Sequence, residues 1–208
     1  MTDPRTQLVG AGYDAMIDTW EAWVDRIEDD PRQLWLDHLI ALVAEGERLV
    51  ELGCGGGTRE TRELAARYRL TGIDLSAAQL ARARERVPAA EFVQADFTAL
   101  ELEQGSLGGV AAFYSFNHVP RELLAPLFAR IHGWLKPGGA LLTALGTGDE
   151  LEWYGDFLGA PSFFSSFPPE TNSRLVREAG FELLRDEVVS IREPEGPVDF
   201  QWILAVRP

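Results

Sequence analysis

The chain has 208 residues, 46% apolar and 25% charged, and its 19 Lys and Arg against 33 Asp and Glu leave a formal net charge of −14. At that length a fold buries enough surface to need no cross-links. The lone Cys54 excludes an internal disulfide, no Cys and His cluster signals a metal, and no run reaches the ~18 apolar residues of a membrane span. The polar start Met1-Thr-Asp-Pro-Arg5 lacks the pattern of a leader peptide, and nucleic acid demands the Lys and Arg that are scarce here. Composition thus predicts a cytoplasmic protein with no membrane and no nucleic-acid partner.

Tyr13, Ile17, Trp20, Val24 and Ile27 recur at helical spacing and predict one N-terminal helix. After a break at Asp29-Asp30-Pro31, Leu36, Leu39, Ile40 and Val43 predict a second. Through residue 51 there are 12 acidic residues against 4 basic ones, an excess expected to be mostly solvated surface. Short apolar runs at 48–52, 69–74, 91–95, 109–115 and 140–145 predict five strands buried on both faces, as in a parallel sheet. Helical stretches separate them. One begins near Thr58. Ser76-Ala-Ala-Gln79 reads as a capping box opening another, which passes Arg82, Arg84 and Arg86 and stops at Val87-Pro88. Pro120 suits the first turn of a further helix, with Leu124, Leu127, Phe128 and Ile131 as its stripe and Lys136-Pro-Gly-Gly139 as its end. Such alternation implies right-handed crossovers and a sheet covered on both faces. Beyond it, residues 171–179 predict a helix capped by Gly180. Residues 181–191 and the alternating Phe200, Trp202, Leu204 and Val206 predict an antiparallel hairpin turned at Glu193-Pro-Glu-Gly-Pro197.

The sharpest motif is Glu51-Leu-Gly-Cys-Gly-Gly-Gly57, between the first strand and its helix. Glycines there permit positive φ and close approach of a ligand, and the helix beyond offers unpaired N–H groups. A nucleoside-triphosphate loop would end in Gly-Lys-Ser/Thr, yet the only lysine is Lys136. A dinucleotide fingerprint would place glycine three positions after Gly55, where Thr58 stands. An S-adenosylmethionine loop wants an acid and alternate glycines, which Glu51, Gly53, Gly55 and Gly57 supply. Asp74, 21 residues after Gly53, ends the second strand, where a carboxylate can accept from both hydroxyls of a ribose, that of NAD included. Asp96 follows the third strand, where an adenine amino group could donate to it. Ser115-Phe-Asn-His-Val119 follows the fourth, beside the crevice in which open α/β sheets bind ligands.

Taken together, these five ordered motifs resemble a class I S-adenosylmethionine-dependent methyltransferase of the small, stand-alone bacterial kind, over roughly residues 8 to 207. The resemblance implies a Rossmann-like, doubly wound α/β fold: a seven-stranded, mostly parallel sheet in order 3-2-1-4-5-7-6, with a C-terminal antiparallel hairpin and an N-terminal helical cap. It divides one methyltransferase domain into N-terminal helices (1–46), a cofactor-binding core (47–145), a lid or acceptor segment (146–169) and a C-terminal helix and hairpin (170–208). It implies S-adenosyl-L-methionine as cofactor and S-adenosyl-L-homocysteine as product, with no metal. Glu51, Gly53, Cys54, Gly55 and Gly57 would hold the methionine part, Asp74 and Leu75 the ribose, Asp96 and Phe97 the adenine, with Ser115 beside them. Leu107-Gly108-Gly109 stands where many relatives carry Phe-Asp, which unsettles the start of the fourth strand.

His118, on the loop where methyl and acceptor should meet, is a candidate general base or a residue that shapes the pocket wall. Nothing near Cys54 activates it as a nucleophile. Tyr13, Trp20, Trp153, Phe163 and Phe164 are candidate acceptor contacts, because the segment 146–169 is too long and aromatic for a plain connection. The expected reaction is in-line methyl transfer to a small-molecule acceptor by a monomer or homodimer. An NAD(P)-dependent oxidoreductase and a non-catalytic S-adenosylmethionine-binding regulatory protein remain alternatives.

Overall fold

Successive residues of a strand face opposite ways, and the central strands use this to feed two separate cores. In the computed structural model, which describes residues 3–208, β1 (Arg48–Leu52) sends Val50 and Leu52 into one core and Leu49 into the other. β4 (Leu107–Ala112) divides Val110 and Ala112 from Ala111, and β5 (Leu135–Gly146) divides Leu141 and Leu145 from Leu142 and Ala144. The first core is completed by α6 (Arg121–Trp134) through Leu124, Phe128 and Ile131, and by Val176 of α7 (Pro169–Glu178). The second is completed by Trp35, Leu36 and Leu39 of α3 (Arg32–Leu42) and Leu64 of α4 (Arg59–Arg67). Burying each such leucine contributes about 1.5–3 kcal/mol.

With β2 (Arg69–Asp74), β3 (Glu91–Gln94), β8 (Glu182–Glu193) and β9 (Gly196–Val206), the sheet runs β3-β2-β1-β4-β5-β9-β8. Strands β1 to β5 are parallel, and β9 is antiparallel to both β5 and β8. The order is the expected 3-2-1-4-5-7-6. Two strands outside it shift the numbering: β6 (Trp153–Phe157) and β7 (Ala160–Phe164) pair as a separate hairpin within the segment expected to be a lid.

Local boundaries depart from expectation in four places. The single first helix is two, α1 (Pro4–Ala15) and α2 (Ile17–Val24), broken at Met16, whose φ of −98° and ψ of 11° leave the helical region. β4 starts at Leu107, not residue 109, through a register shift between Leu107 and Gly109, and it ends at Ala112 instead of 115. Tyr114 then turns the chain at φ +55° into a short 3₁₀ turn, Phe116–His118. Lys136-Pro-Gly-Gly139 does not separate α6 from β5. It bulges within the strand, because Leu135 already pairs with Leu107 and the C-terminal end of β9 holds the excursion through Gly138 N–H to the Arg207 carbonyl, 2.7 Å. The capping box expected at Ser76 is half made: Ser76 Oγ accepts from Gln79 N–H at 3.0 Å, but the Gln79 side chain turns away and Asp74 Oδ1 takes the Ser76 N–H instead. The reciprocal box forms one helix earlier, between Thr58 and Thr61.

Most N-terminal acids are exposed, as expected, but several also tie the helices to the core. Asp14 Oδ1 accepts from Ser76 Oγ at 2.6 Å and from Ala78 N–H at 2.9 Å, so α1 caps α5 (Ala77–Arg86) from outside. Glu21 pairs with Arg82 and Arg86 at 2.6 and 2.7 Å, and Asp18 also pairs with Arg82. At its far end the helical pair is tied to β8 by backbone hydrogen bonds in both directions between Glu28 and Arg192. Gly12 lets α1 lie against β7, since a Cβ there would sit 2.7 Å from the Pro161 carbonyl.

Candidate active site

At the carboxyl ends of β1, β2 and β4, roofed by α1 and α2, a cavity encloses about 1260 Å³ of space, part of it open to solvent. Glu51 lies at its floor, 2% exposed. One of its oxygens accepts from the Thr61 hydroxyl at 3.2 Å and the other, Oε2, has no hydrogen-bond partner. Burial pushes its carboxyl up to about 8, and the Thr61 hydroxyl offsets this only in part. Gln79 stands in the same wall, 1% exposed, with neither side-chain atom partnered. A buried carboxylate oxygen and a buried amide with nothing to bind are costly unless a polar ligand meets them.

Gly53 shows why the loop between β1 and α4 is glycine-rich. Its φ is +75°, and a Cβ on it would stand 2.4 Å from that of Ser115, which is itself fixed by donating to the Leu52 carbonyl at 2.8 Å. Gly55 donates its N–H to Asp74 Oδ2 at 2.9 Å, so the loop and the end of β2 hold each other. Burial raises the Asp74 carboxyl, against the lowering effect of the Ser76, Gly55 and Leu75 backbone N–H groups. Each Asp74 oxygen keeps a lone pair for a ligand hydroxyl. Asp96 accepts from Thr98 N–H and hydroxyl with one oxygen, and with the other from Thr6 Oγ1 of α1 at 3.0 Å. Phe97 is buried against Phe116, ring centroids 5.7 Å apart. Burial pushes the Cys54 thiol far up, which leaves it no nucleophile at neutral pH.

The other half of the cavity is aromatic. His118 is fixed at both ring nitrogens: Nδ1 lies 2.8 Å from the Phe163 carbonyl and Nε2 lies 3.0 Å from the Tyr13 hydroxyl. A carbonyl only accepts, so Nδ1 carries the proton and bare Nε2 accepts from Tyr13. Burial pulls the imidazole down to about 4, which keeps it neutral. Tyr13, Trp20 and Phe164 line this half. Trp153 and Phe163 do not. Trp153 packs on the outer side, 38% exposed, with its ring edge to Phe164, and Phe163 is fully buried beneath Tyr154 and the Arg5 guanidinium. Of the loop positions, Glu51, Gly53, Cys54 and Gly55 face the cavity with Asp74, Leu75, Asp96, Phe97 and Ser115, whereas Gly57 packs under Ala83 of α5 and Val87 just beyond it.

Several lining residues escaped the sequence reading. Gln79 was read as a cap, Ile27 as part of a helix stripe, and Glu193 as part of a turn. Arg32 and Tyr114 carried no motif. An N-terminal cap with Tyr13 and Trp20 as acceptor contacts was expected, but the apolar spacing did not set Ile27 apart from core positions.

A parallel sheet of this order with an acidic glycine loop and carboxylates after β2 and β3 defines a nucleotide-type cofactor site at the strand ends. The methyltransferase-domain family matches residues 49–139, which hold that loop and both carboxylates. The 27-O-demethylrifamycin SV methyltransferase of Amycolatopsis mediterranei is 30% identical over 203 residues, 86% of this chain and 68% of that protein. The trans-aconitate 2-methyltransferase of Paracidovorax citrulli is 41% identical over 129 residues, 59% of this chain, and the chain spans about half (48%) of its length. Among solved structures, the DhpI–S-adenosylhomocysteine complex is similar with TM-score 0.75 at 19% identity, over 99% of this chain and 98% of that one. The cyclase SpnF is similar with TM-score 0.73 at 20% identity, over 100% and 98%. The chain belongs to the class I S-adenosylmethionine-dependent methyltransferases.

Proposed function

We propose that this protein transfers a methyl group from S-adenosylmethionine to a small-molecule acceptor enclosed by α1, α2 and the β6–β7 hairpin. The observation that carries the reading is the pair of unpartnered buried polar groups, Glu51 Oε2 and the Gln79 amide, in the cavity that also holds Asp74 and Asp96. Glu51 would take the cofactor's ammonium, Asp74 its ribose hydroxyls and Asp96 its adenine amino group. When bound, that cofactor would supply a sulfonium-activated methyl for an acceptor lone pair, with sulfur keeping the C–S electron pair.

The protein's own share is mostly positional. Trp20, Phe157 and Phe164 orient the acceptor and exclude water, an effect that supplies about 7–11 kcal/mol in favourable cases. His118 Nε2, bare and neutral, takes up the acceptor's proton directly or through the Tyr13 hydroxyl. A general base adds about 10²–10⁴-fold. The relatives' names offer two acceptors of opposite character, the tricarboxylate trans-aconitate and the bulky 27-O-demethylrifamycin SV.

Calorimetry with S-adenosylmethionine and NAD in parallel tests the cofactor assignment, and release of S-adenosylhomocysteine over an acceptor panel tests transfer. Tight binding of the first cofactor alone is expected. Binding of NAD in its place would return the oxidoreductase alternative, and cofactor binding without turnover on any acceptor would favour a regulatory protein.

A further inference from the structure

We propose that the acceptor carries a protonated amine on a flat apolar body, with the ammonium held against Glu193 as an anchor, a separate atom with a free lone pair taking the methyl, and the body among the rings of α2 and the β6–β7 hairpin. This rests on the methyltransferase reading and names the acceptor class that reading leaves open. Glu193 closes β8 and lines the cavity together with Trp20, Trp23, Ile27, Phe157 and Phe164. Tyr13 of α1 and Tyr114 after β4 line the same chamber. Among the described residues no side chain pairs with Glu193, although its neighbour Glu195 accepts from the Trp23 indole at 2.8 Å. Desolvation holds its carboxyl up at about 7, the signature of a carboxylate without a partner. A carboxylate beside aromatic faces is the chemistry that recognises an ammonium, through ion pairing and cation–π attraction together.

The charges of the cavity point the same way. Four carboxylates line it: Glu51, Asp74, Asp96 and Glu193. Its one Lys or Arg is Arg32, and that charge is already spent. The guanidinium pairs with Asp30 at 2.7 Å and Glu60 at 3.9 Å, and lies 5.5 Å over the Tyr114 ring. An anionic acceptor would therefore find no free cation, in a protein whose net charge of −14 already repels it. Glu51, Asp74 and Asp96 belong to the cofactor half, which leaves Glu193 for the acceptor.

The test is calorimetry at pH 8 on the full chain saturated with S-adenosylhomocysteine. The probes are tryptamine and 2-phenylethylamine, with indole-3-propionate and trans-aconitate as anionic counterparts. The amines should bind about tenfold or more tightly than the acids, and Glu193→Gln should weaken the amines by about the same factor. Glu195→Gln should leave amine affinity within about twofold, as expected of an exposed carboxylate. Unchanged S-adenosylhomocysteine affinity in Glu193→Gln shows that the fold is intact. Acids that bind more tightly than amines, amines that bind Glu193→Gln as well as wild type, or failure of both amines to bind would overturn the proposal alone. Failure of S-adenosylhomocysteine to bind the wild-type protein would overturn the methyltransferase reading and this one with it.

Discussion

Glu51→Gln is expected to stabilise the ligand-free protein while loosening its hold on S-adenosylmethionine. Burial raises the Glu51 carboxyl from its ordinary 4.5 to about 8. The unfolded chain therefore ionises this group above about 4.5, and the folded chain only near 8. Its contribution to stability is whole below pH 4.5 and is lost as pH rises to 8. At about 1.4 kcal/mol per tenfold, the loss between pH 5 and 7.5 comes to about 3 kcal/mol. Glutamine has no proton to lose and keeps an oxygen for the Thr61 hydroxyl. Urea unfolding of both proteins at both pH values is the assay. The advantage of the variant should grow by about 3 kcal/mol from pH 5 to 7.5, a relative shift in midpoint of roughly 1 M. Its affinity for S-adenosylmethionine at pH 8 should fall about tenfold or more, since the ammonium loses its carboxylate. An advantage that stays constant between the two pH values would refute the reasoning, because Glu51 would then ionise alike in the folded and unfolded chain.

Gly53→Ala adds a Cβ at positive φ, about 1–2 kcal/mol by itself, and drives it onto Ser115. Loss of cofactor binding is expected, and calorimetry that finds wild-type affinity would contradict the cradle. His118→Gln should lower turnover by about 10²–10⁴-fold with S-adenosylhomocysteine affinity intact. The same residue has a stability signature. Its folded value of about 4 lies below the ordinary 6.5, so its contribution is whole above pH 6.5 and is lost as pH falls toward 4. Relative to His118→Gln, wild type should lose about 3 kcal/mol over that window, measured by the same unfolding titration. Phe164→Ala should raise the acceptor KM with little change in cofactor affinity. Phe163→Ala, at a fully buried site, should instead cost about 3–5 kcal/mol of stability and lower the melting temperature.

Much of this fold was legible because its strands are short, apolar and separated by marked helices. Thr58, Ser76 and Gly180 announce helix ends through local chemistry, and the order of the sheet follows from the alternation. The same locality explains what was missed. Met16 breaks the first helix with no proline or glycine to mark it, and the Lys136-Pro-Gly-Gly139 excursion is held by Arg207, 69 positions later in the chain. The half of the cavity proposed for the cofactor is lined by short runs at the ends of β1, β2 and β3, each carrying its own local motif. The half proposed for the acceptor draws on α2, the turn after β4, β6–β7 and the end of β8, and only tertiary packing brings Glu193 into one cavity with Trp20 and Tyr13. Among the N-terminal acids, the roles of Asp18 and Glu21 were likewise unreadable until Arg82 and Arg86 were seen opposite them.

Helix α1 touches both halves at once. Thr6 donates to Asp96 at the end proposed for adenine, and Tyr13 meets His118 at the end proposed for the acceptor. The two residues are seven positions apart on one helix, which places them about 10 Å from each other along a rigid rod. An adenine at Asp96, as proposed, would compete with Thr6 on the same helix that carries Tyr13 to the imidazole. The sequence in which the two ligands enter is thus expected to matter, with the arrival of the first setting the shape that the second encounters.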